Sequence, residues 1–362
     1  MRPFRFTTRI KEWLRGALRS EHSAAPTRGQ RTHVIILDGT MSSLEQGMET
    51  NAGQTYRLLT EQNNNACLFY EAGLQFTSWA NAPDIMMGRG INRQIRRAYG
   101  FLASRYRPGD RIFLFGYSRG AFAVRSLAGV IDRIGLLTAQ QATERNIRQA
   151  YRHYQHDPNG KIAREFAETY CHSKVEIEMI GVWDTVKALG VRLPFVWKYS
   201  DRQHSFHDHR LGDSVKHGYH ALAYHETRQA YDPVMWTTRP GRKAHVEQVW
   251  FRGTHGDVGA QIDGQEAVRP LSNIPLVWML EKAQSHGLDL PKDWASRFER
   301  DPDAPSIGSW RGWGKLFLLR RRRRVGEDAS EHLHDTLTLA EPKGIWRLRR
   351  SAHLGLHDNA GG

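Results

Sequence analysis

From residue 32 onward, short runs of apolar residues alternate with longer stretches in which apolar positions recur every three or four residues. Short apolar runs that end at turn residues are typical of buried strands, and the longer pattern is typical of amphipathic helices. The predicted strands are His33–Leu37, Ala66–Tyr70, Arg111–Phe115, Val175–Val182 and Val246–Phe251. The predicted helices are 91–105, 118–131, 139–154, 160–171, 213–230 and Leu271–Ser285. This alternation predicts an α/β fold, in which a mostly parallel sheet is covered by helices.

The first 31 residues have a different pattern. A helix is predicted over residues 9–19, because the apolar residues there follow the spacing of one helical face. These residues are Ile10, Trp13, Leu14, Ala17 and Leu18. The remaining positions are mainly basic, and three interpretations are open: a helix docked on its own protein, a helix lying in a membrane interface, or a transit peptide. Residues 20–30 are small and polar, and we interpret them as a linker.

The net charge of the chain raises the question of a nucleic-acid partner. Its 362 residues carry a formal charge of +14. Most of this charge lies in residues 1–31 and in the run Arg320–Arg324, whereas the central part is close to neutral. A domain that binds a duplex is expected to spread its cations over a folded face. We therefore expect no nucleic-acid partner, and we interpret the basic ends as patches that can meet an anionic membrane surface.

The second basic patch has aromatic and apolar neighbours. Trp310, Trp313 and the run Leu316–Leu319 stand directly before Arg320–Arg324. Aromatic, apolar and cationic groups in this order suit a bilayer interface. The alternative is a C-terminal helix packed on the core and followed by a solvated charge run. Residues 9–19 and 310–324 are thus the two candidate membrane contacts.

Cysteine usage and hydropathy indicate the compartment. Cys67 and Cys171 form neither a disulfide framework nor a C-x-x-C motif, which indicates a reducing environment. The first 30 residues lack the apolar segment of a secretory signal, and no run approaches the roughly 18 apolar residues of a membrane span. The sequence predicts a cytoplasmic protein with no signal peptide or transmembrane segment, placed at the inner membrane surface if its basic ends contact lipid.

Candidate chemistry begins with a G-x-S-x-G motif, the nucleophile elbow predicted at residues 116–120. In such an elbow the serine sits on a sharp strand-to-helix turn, and the glycines let strand and helix approach closely. Here the motif follows the strand Arg111–Phe115 and opens a helix with an apolar stripe. Ser118 is therefore the candidate nucleophile, with a non-catalytic glycine turn as the alternative.

The partners of such a serine are expected in the chain order Ser, Asp, His, each after a later strand. Asp184 follows the strand Val175–Val182, and His255 follows Val246–Phe251, taken as the next strand. A parallel sheet would bring all three to one edge, where ligands bind in open α/β sheets. The alternatives are a capping or turn aspartate and an ordinary loop histidine.

Donors for an oxyanion are expected beside the elbow. The backbone N–H of Arg119, at the start of the helix, is one candidate, and Gly39 or Thr40 in the loop after the first strand offers the other. Asp38 is positioned to orient that loop. Asp257 is either a rival acid or a residue that supports the triad.

Other histidines are alternative candidates for the general base. His220 and His225 precede the final predicted strand, but they fall inside the predicted helix 213–230, where a helix face explains them as well. A cluster in the loop 187–212 resembles a metal site: His204, His207, Asp208 and His209. Closely spaced histidines and aspartates in loops are more often solvated, so no metal and no cofactor is predicted.

Several blocks along the chain resemble one known family. They are His33–Thr40 with Thr50–Asn51, Phe115–Gly129, Ile180–Gly190, His225–Glu226 and Val249–Gly259. In this order they are similar to the α/β-hydrolase domain of the type VI secretion phospholipase effectors and related uncharacterised bacterial hydrolases. The resemblance implies a triad of Ser118, Asp184 and His255, and the hydrolysis of esters in lipid-like substrates.

One block departs from the family pattern. The family's His-Ser-Asp-Val-Gly-Gly-Gly reads His255-Gly256-Asp257-Val258-Gly259-Ala260-Gln261 here, which puts the family's specificity in doubt more than its chemistry. The resemblance also leaves a housekeeping or peripheral-membrane role open beside export, because we identify no large extra domain.

The chain is accordingly divided into three parts. Residues 1–31 are the basic amphipathic segment and linker, 32–300 the α/β-hydrolase catalytic domain, and 301–362 a basic C-terminal extension. The predicted function is a serine hydrolase that cleaves carboxylic esters, as a phospholipase or esterase, through an acyl-enzyme. The alternative is a catalytically silent hydrolase-fold protein whose basic ends contact membrane or nucleic acid.

Overall fold

A computed structural model describes residues 28–62, 66–73, 89–186, 211–238, 241, 244–310 and 317–340. The chain divides into two compact units, Met1–Gln30 and Arg31–Gly362. The helix predicted over residues 9–19, the cluster at residues 204–209 and the aromatic side chain of Trp313 lie outside the described residues.

The second unit is built on a seven-stranded sheet in which all neighbouring strands are parallel, in the order β2-β1-β3-β4-β5-β6-β7. The strands are β1 Thr32–Leu37, β2 Ala66–Glu71, β3 Arg111–Tyr117, β4 Ile177–Trp183, β5 Val215–Ala223, β6 His245–Phe251 and β7 Glu331–Leu333. The described α-helices are α1 Asn51–Glu61, α2 Arg89–Ala103, α3 Arg119–Arg133, α4 Glu144–His156, α5 Lys161–Tyr170, α6 His255–Gly259, α7 Arg269–Ser285 and α8 Asp335–Ala340.

Helices cover both faces of the sheet. Alternate side chains of each strand point to opposite faces. On β1, Ile35 and Leu37 pack into a core shared with α2 and α3. Val34 and Ile36 pack into a second core, shared with α1 and α7. Strands buried on both faces are apolar at nearly every position, which explains the continuous apolar runs in the sequence.

The predicted α/β class and the mostly parallel sheet are confirmed. All five predicted strands form, as β1 to β4 and β6. The helix predicted over 139–154 starts later, at Glu144, after a 3-10 turn at Ala139–Gln141. Its start is fixed by Thr143, whose side chain accepts a hydrogen bond from the backbone N–H of Asn146.

The helix predicted over residues 213–230 is wrong, because Val215–Ala223 is the strand β5 between β4 and β6. Every residue from Gly218 to Ala223 is buried, so the segment lacks the alternation that marks a half-buried strand. Gly218 was the residue in the sequence that could have indicated a strand in place of a helix. A Cβ at this position would lie 2.9 Å from Leu211 Cδ2, and glycine is a poor helix former.

The chain after residue 300 contributes to the sheet. β7 pairs with β6 and is followed by α8. Neither β7 nor α1 was predicted. Residues assigned to the basic C-terminal extension thus supply the last strand, while the three-part division of the chain stays a prediction.

Two features bear on the expected environment of the protein. Cys67 and Cys171 are free thiols. Among the described helices, none has the length and apolar character needed to cross a membrane. The longest, α7, has 17 residues.

The carboxyl ends of the strands lie along one edge of the sheet. β1, β3, β4 and β6 are followed there by the loops that carry Asp38, Ser118, Asp184 and His255. The expectation that His255 follows the next strand after Asp184 is wrong, because β5 lies between β4 and β6. His255 is therefore carried two strands away from Asp184, and its loop must reach back across the end of β5.

Candidate active site

Ser118 lies on the turn between β3 and α3 in a backbone conformation that non-glycine residues rarely adopt, with φ 57° and ψ −119°. A Cβ on Gly116 would lie 2.7 Å from Ala121 Cα, and one on Gly120 would lie 2.0 Å from the carbonyl oxygen of Leu37. Both positions therefore require glycine. Strand and helix meet in this turn as a nucleophile elbow demands.

Ser118, His255 and Asp184 form a continuous chain of hydrogen bonds. His255 Nε2 is 2.9 Å from Ser118 Oγ, and His255 Nδ1 is 2.6 Å from Asp184 Oδ2. All three side chains are buried. With the proton on Nδ1, the imidazole donates to Asp184 and accepts from the serine hydroxyl. The structure thus brings together the three residues that the sequence singled out.

Asp184 is held by more than the imidazole. Its Oδ1 accepts a hydrogen bond from Ala223 N at 3.0 Å, and the guanidinium of Arg323 lies 2.5 Å from Oδ1 and 2.9 Å from Oδ2. Burial alone would raise the pKa of Asp184. The charge of Arg323 and the hydrogen bond from His255 outweigh it and hold this pKa well below its ordinary value. Asp184 is therefore a carboxylate across the physiological range.

His255 is suited to accept a proton. Burial lowers the pKa of the imidazole below its ordinary value, although the hydrogen bond and charge of Asp184 oppose that shift. The ring of Tyr117 stacks on it at 4.9 Å between centroids, and the ring of Tyr231 meets it edge-on at 4.7 Å. The imidazole is accordingly neutral at pH 7, as a general base must be.

The backbone of His255 is fixed by a buried carboxylate. Its N–H donates to Glu226 Oε2 at 3.2 Å. Glu226 in turn forms an ion pair with Arg228 at 2.6 Å. Burial raises the pKa of Glu226, but the hydrogen bonds and charge of Arg228 have the larger, opposite effect. The pKa therefore lies below its ordinary value, and the group stays ionised.

Asp257 supports the turn that carries His255. Its Oδ2 accepts hydrogen bonds from the backbone N–H and the hydroxyl of Thr254, at 2.6 and 2.8 Å, and from Ser306 Oγ. Its Oδ1 accepts from Ile307 N at 2.8 Å. The hydrogen bonds of Asp257 thus go to the loops around the imidazole, and it is Asp184 that meets His255 Nδ1.

The loop after β1 lies against the nucleophile, since a Cβ on Gly39 would be 3.4 Å from Ser118 Cβ. The N–H of Gly39 already donates to Asp38 Oδ1 at 2.6 Å. Thr40 N has no acceptor among the described residues. Arg119 is the first residue of α3, so its N–H has no partner inside the helix. Of the two candidates, Thr40 is the one whose N–H is not already bonded within the described residues.

Asp38 anchors that loop. Its carboxylate accepts hydrogen bonds from Thr50 Oγ1, at 2.8 and 2.7 Å, and from the hydroxyl of Tyr70 at 2.8 Å. Burial raises the pKa of Asp38 to about 6, although these hydrogen bonds act in the opposite direction. The side chain therefore joins the loop to α1 and β2, and its orienting role stays a prediction.

Comparison with known proteins adds the family. A sequence model of the family described as "T6SS, Phospholipase effector Tle1-like, catalytic domain" matches residues 31–282. The chain belongs to this family. It is a family of lipid-ester hydrolases. The match contains Ser118, Asp184 and His255, and it ends before Arg323.

Individual relatives of this Tle1-like domain have low sequence identity to the chain. An uncharacterized protein of Saccharomyces cerevisiae is 27% identical over 252 residues, which cover 62% of this chain and 35% of the yeast protein. The crystal structure of an uncharacterized protein from Pseudomonas aeruginosa aligns with a TM-score of 0.43 and 16% identity, over 75% of this chain and 49% of that one. The structure of the Tle1 effector bound to the VgrG spike of the type 6 secretion system gives a TM-score of 0.27 and 17% identity, over 65% and 52%. The chain thus spans between about a third and about a half of the length of these relatives.

The two rival candidates for the base are hydrogen-bonded to backbone N–H groups beside the site. His220 is buried in β5, where its Nε2 accepts a hydrogen bond from Thr185 N at 3.0 Å. Burial lowers the pKa of His220 to about 3, with Arg125 adding to the effect. His225 Nδ1 accepts from Gly253 N at 3.0 Å. Both histidines thus bond the loops that carry Asp184 and His255, and the hydroxyl of Ser118 meets His255 instead.

Three residues of the site were missed by sequence reasoning. Glu226 lies in a block that resembles the family, but no role was assigned to it from the sequence. Arg323 is one of five consecutive arginines, and a charge run is normally solvated. Gln261 occupies the altered block after His255, and its side chain reaches back to the loop after β1. Only tertiary structure brings these groups to the site.

Among the described residues, one group has the geometry to hold a metal ion. Glu178, His217 and His286 offer ligand atoms within 4.8 Å of one another. They lie near the amino ends of β4 and β5, at the opposite edge of the sheet from Ser118. Glu178 is bound by Lys216 at 2.9 Å, and the Nε2 of His286 lies 2.8 Å from the hydroxyl of Tyr219. These contacts account for the cluster, and no part of the chemistry at Ser118 requires it.

Proposed function

We propose that this protein is a serine hydrolase that cleaves carboxylic esters of lipid-like substrates through an acyl-enzyme. The observation that carries the proposal is the hydrogen-bond chain from Ser118 through His255 to Asp184, in a member of a lipid-ester hydrolase family. It lies at the edge of the sheet where ligands bind in α/β folds. The roles of nucleophile, base and acid follow from the order of the hydrogen bonds.

In the proposed reaction, Ser118 Oγ attacks the ester carbonyl carbon while His255 Nε2 takes the hydroxyl proton. The N–H groups of Arg119 and Thr40 donate to the negative oxygen of the tetrahedral intermediate. Its collapse breaks the ester C–O bond, and the leaving alcohol takes the proton from Nε2. Water then attacks the acyl-enzyme by the same steps, and releases the carboxylic acid and free Ser118.

A fluorophosphonate probe tests this assignment directly. We expect the wild-type protein to be labelled and Ser118→Ala to be unlabelled. Ser126→Ala, which removes a buried hydroxyl on α3, is the matched control and should keep its labelling. A folded wild-type protein that does not react, or labelling that persists in Ser118→Ala, would contradict the proposal. The first result would favour a catalytically silent binding protein.

The substrate class is tested with two series. With p-nitrophenyl esters of increasing chain length, we expect the enzyme to prefer longer acyl chains over acetyl, because lipid-like substrates bury apolar surface on binding. Phospholipid vesicles, anionic and zwitterionic, then separate phospholipase from general esterase activity. Hydrolysis of short soluble esters alone would reject the lipid version and keep the serine hydrolase.

We further propose that the described part of 310–324 contacts an anionic membrane surface. Leu318 is 78% exposed and Leu319 60% exposed, and the exposed ring of Trp310 lies 3.5 Å under the guanidinium of Arg320. Phe317, next to the two leucines, meets the ring of Tyr231, which itself meets His255. Exposed apolar and cationic groups thus stand beside the proposed site, as a bilayer interface requires.

Flotation with liposomes tests this contact. We expect the variant Leu318→Ser, Leu319→Ser to bind anionic vesicles more weakly than wild type. Ile162→Ser is the matched control, because Ile162 is 68% exposed on α5. A chain without residues 1–31 tests the contribution predicted from the sequence for residues 9–19. Equal binding of all four proteins would contradict a membrane contact at either segment.

A further inference from the structure

The segment 317–325 lies along the loop that follows β5. Gln229 N donates to Leu319 O at 3.0 Å, and Arg321 N donates to Thr227 O at 2.7 Å. These two bonds form an antiparallel bridge between Arg228 and Arg320. The loop thus held is the one that carries Glu226 and Tyr231 to His255.

Arg323 points from this segment into the protein. Its side chain is 2% exposed, whereas its neighbours Arg322 and Arg324 are exposed. Its guanidinium meets both carboxylate oxygens of Asp184, and it donates to two backbone carbonyls, Ala223 O at 2.9 Å and Tyr231 O at 2.5 Å. One side chain therefore joins the ends of β4 and β5 to the loop beside His255.

This geometry is specific to arginine. The guanidinium is planar and offers several donors in a fixed fork, which matches the two oxygens of a carboxylate. The desolvation cost of a buried ion pair is offset only when the geometry is good and further hydrogen bonds are made by both groups. Here Asp184 also bonds Ala223 N and His255, and the two terminal nitrogens of Arg323 also bond two carbonyls, so the pair fixes the carboxylate in one orientation.

We propose that Arg323 is a positioning residue for Asp184, and that it makes the segment 317–325 part of the active site. The inference rests on the proposed hydrolase function. Arg323 fixes the carboxylate that orients His255, and its positive charge offsets part of the attraction between that carboxylate and a protonated imidazole. Arg323 therefore affects both the turnover of the enzyme and the basicity of His255.

Other charged or titratable groups also face the imidazole. They are Asp184, Glu226, Arg228, Tyr117 and Tyr231. None of these five residues is itself substituted when only Arg323 is changed. A shift in the pKa of His255 in such a variant therefore reports on Arg323 and on the carboxylate that it holds.

The test compares Arg323→Met, Arg323→Lys and the exposed control Arg148→Gln on α4, with kcat and KM measured on a p-nitrophenyl ester. The pKa of His255 is measured by NMR titration of its ring, assigned with His255→Ala. For Arg323→Met we expect kcat to fall about tenfold or more and the pKa of His255 to rise by about half a unit or more. Arg323→Lys keeps the charge without the fork, so kcat should fall while the pKa stays near the wild-type value.

Several outcomes would overturn the inference. A folded Arg323→Met protein with wild-type kcat and a wild-type pKa of His255 would do so. If that variant does not fold, Arg323→Lys decides, since an unchanged kcat would show that the fork has no positioning effect. Equal losses in Arg148→Gln would assign the effect to net charge and also overturn it. A wild-type protein without activity would instead remove the proposed function, while the NMR titration would still measure the effect of Arg323 on His255.

Discussion

The side-chain amide of Gln261 donates a hydrogen bond to the carbonyl oxygen of Thr40, with 3.0 Å between Nε2 and that oxygen. The Oε1 of Gln261 accepts a second bond, from the hydroxyl of Tyr117, at 3.3 Å. One side chain thus joins the loop after β1, which carries a proposed oxyanion donor, to the ring that stacks on His255. Gln261 stands in the block where the sequence departs from the pattern that it otherwise resembles.

Replacement of Gln261 by alanine should loosen the loop that carries Thr40. We expect Gln261→Ala to lower kcat about three- to tenfold with little change in KM, because the donor acts on the transition state and is displaced rather than removed. Gln265→Ala is the matched control, since Gln265 Nε2 donates to Ile262 O. Equal kcat values in the two variants would show that the link has no catalytic effect.

The proposed triad could be predicted from the sequence because its members follow apolar strands that are buried on both faces. Ser118, Asp184 and His255 stand directly after or within a few residues of such strands, and a parallel sheet fixes the edge at which they meet. β5 was not accessible in the same way. Its buried positions, Gly218 to Ala223, are consecutive, so helix and strand periods fit them equally.

The position of Arg323 in the site could not be predicted from the sequence, for a different reason. In the run Arg320–Arg324 the composition is uniform, and only the backbone pairing of Arg321 with Thr227 decides which side chain turns inward. Contacts between residues 139 positions apart leave no periodic trace in one sequence. The same holds for the hydrogen bond between Gln261 and Thr40.

The buried pair of Asp184 and Arg323 should show strong coupling in stability. Asp184→Asn leaves the guanidinium without a counter-charge, and Arg323→Met leaves the carboxylate with only His255 and Ala223 N. We expect each single change to lower the free energy of unfolding by about 3–5 kcal/mol, and the double variant to lose clearly less than the sum. Urea denaturation of the four proteins at pH 7 measures this coupling.

An exposed ion pair supplies the control for that cycle. Glu144 and Arg148 on α4 are more than half exposed and form an i,i+4 pair at 2.6 Å. Glu144→Gln and Arg148→Met should be nearly additive, because solvent screens such pairs. Additive effects at Asp184 and Arg323 as well would reject the view that the two residues stabilise each other.

The pH dependence of ester hydrolysis should report on His255. The base acts in its neutral form, and burial lowers the pKa of His255 below its ordinary value of 6.5. We therefore expect the acid limb of kcat/KM to have its midpoint below pH 6.5. Asp184→Asn should move the midpoint lower still, because the carboxylate raises this pKa. A wild-type midpoint above 6.5, measured with an uncharged ester, would contradict the assigned environment.

His220 should make the stability of the fold depend on pH. Its pKa is about 3 in the folded protein and 6.5 ordinarily, so the unfolded chain binds a proton at pH 5 that the folded chain does not. The stability that the neutral side chain contributes is complete above pH 6.5 and is lost as the pH falls below that value. Between pH 7 and pH 5, wild type should lose about 2 kcal/mol more than His220→Gln. A glutamine amide can accept from Thr185 N and donate to Gln248 as the imidazole does, and the other buried histidines are common to both proteins. Urea denaturation at the two pH values gives the comparison, and parallel losses in both proteins would show that His220 is not held neutral.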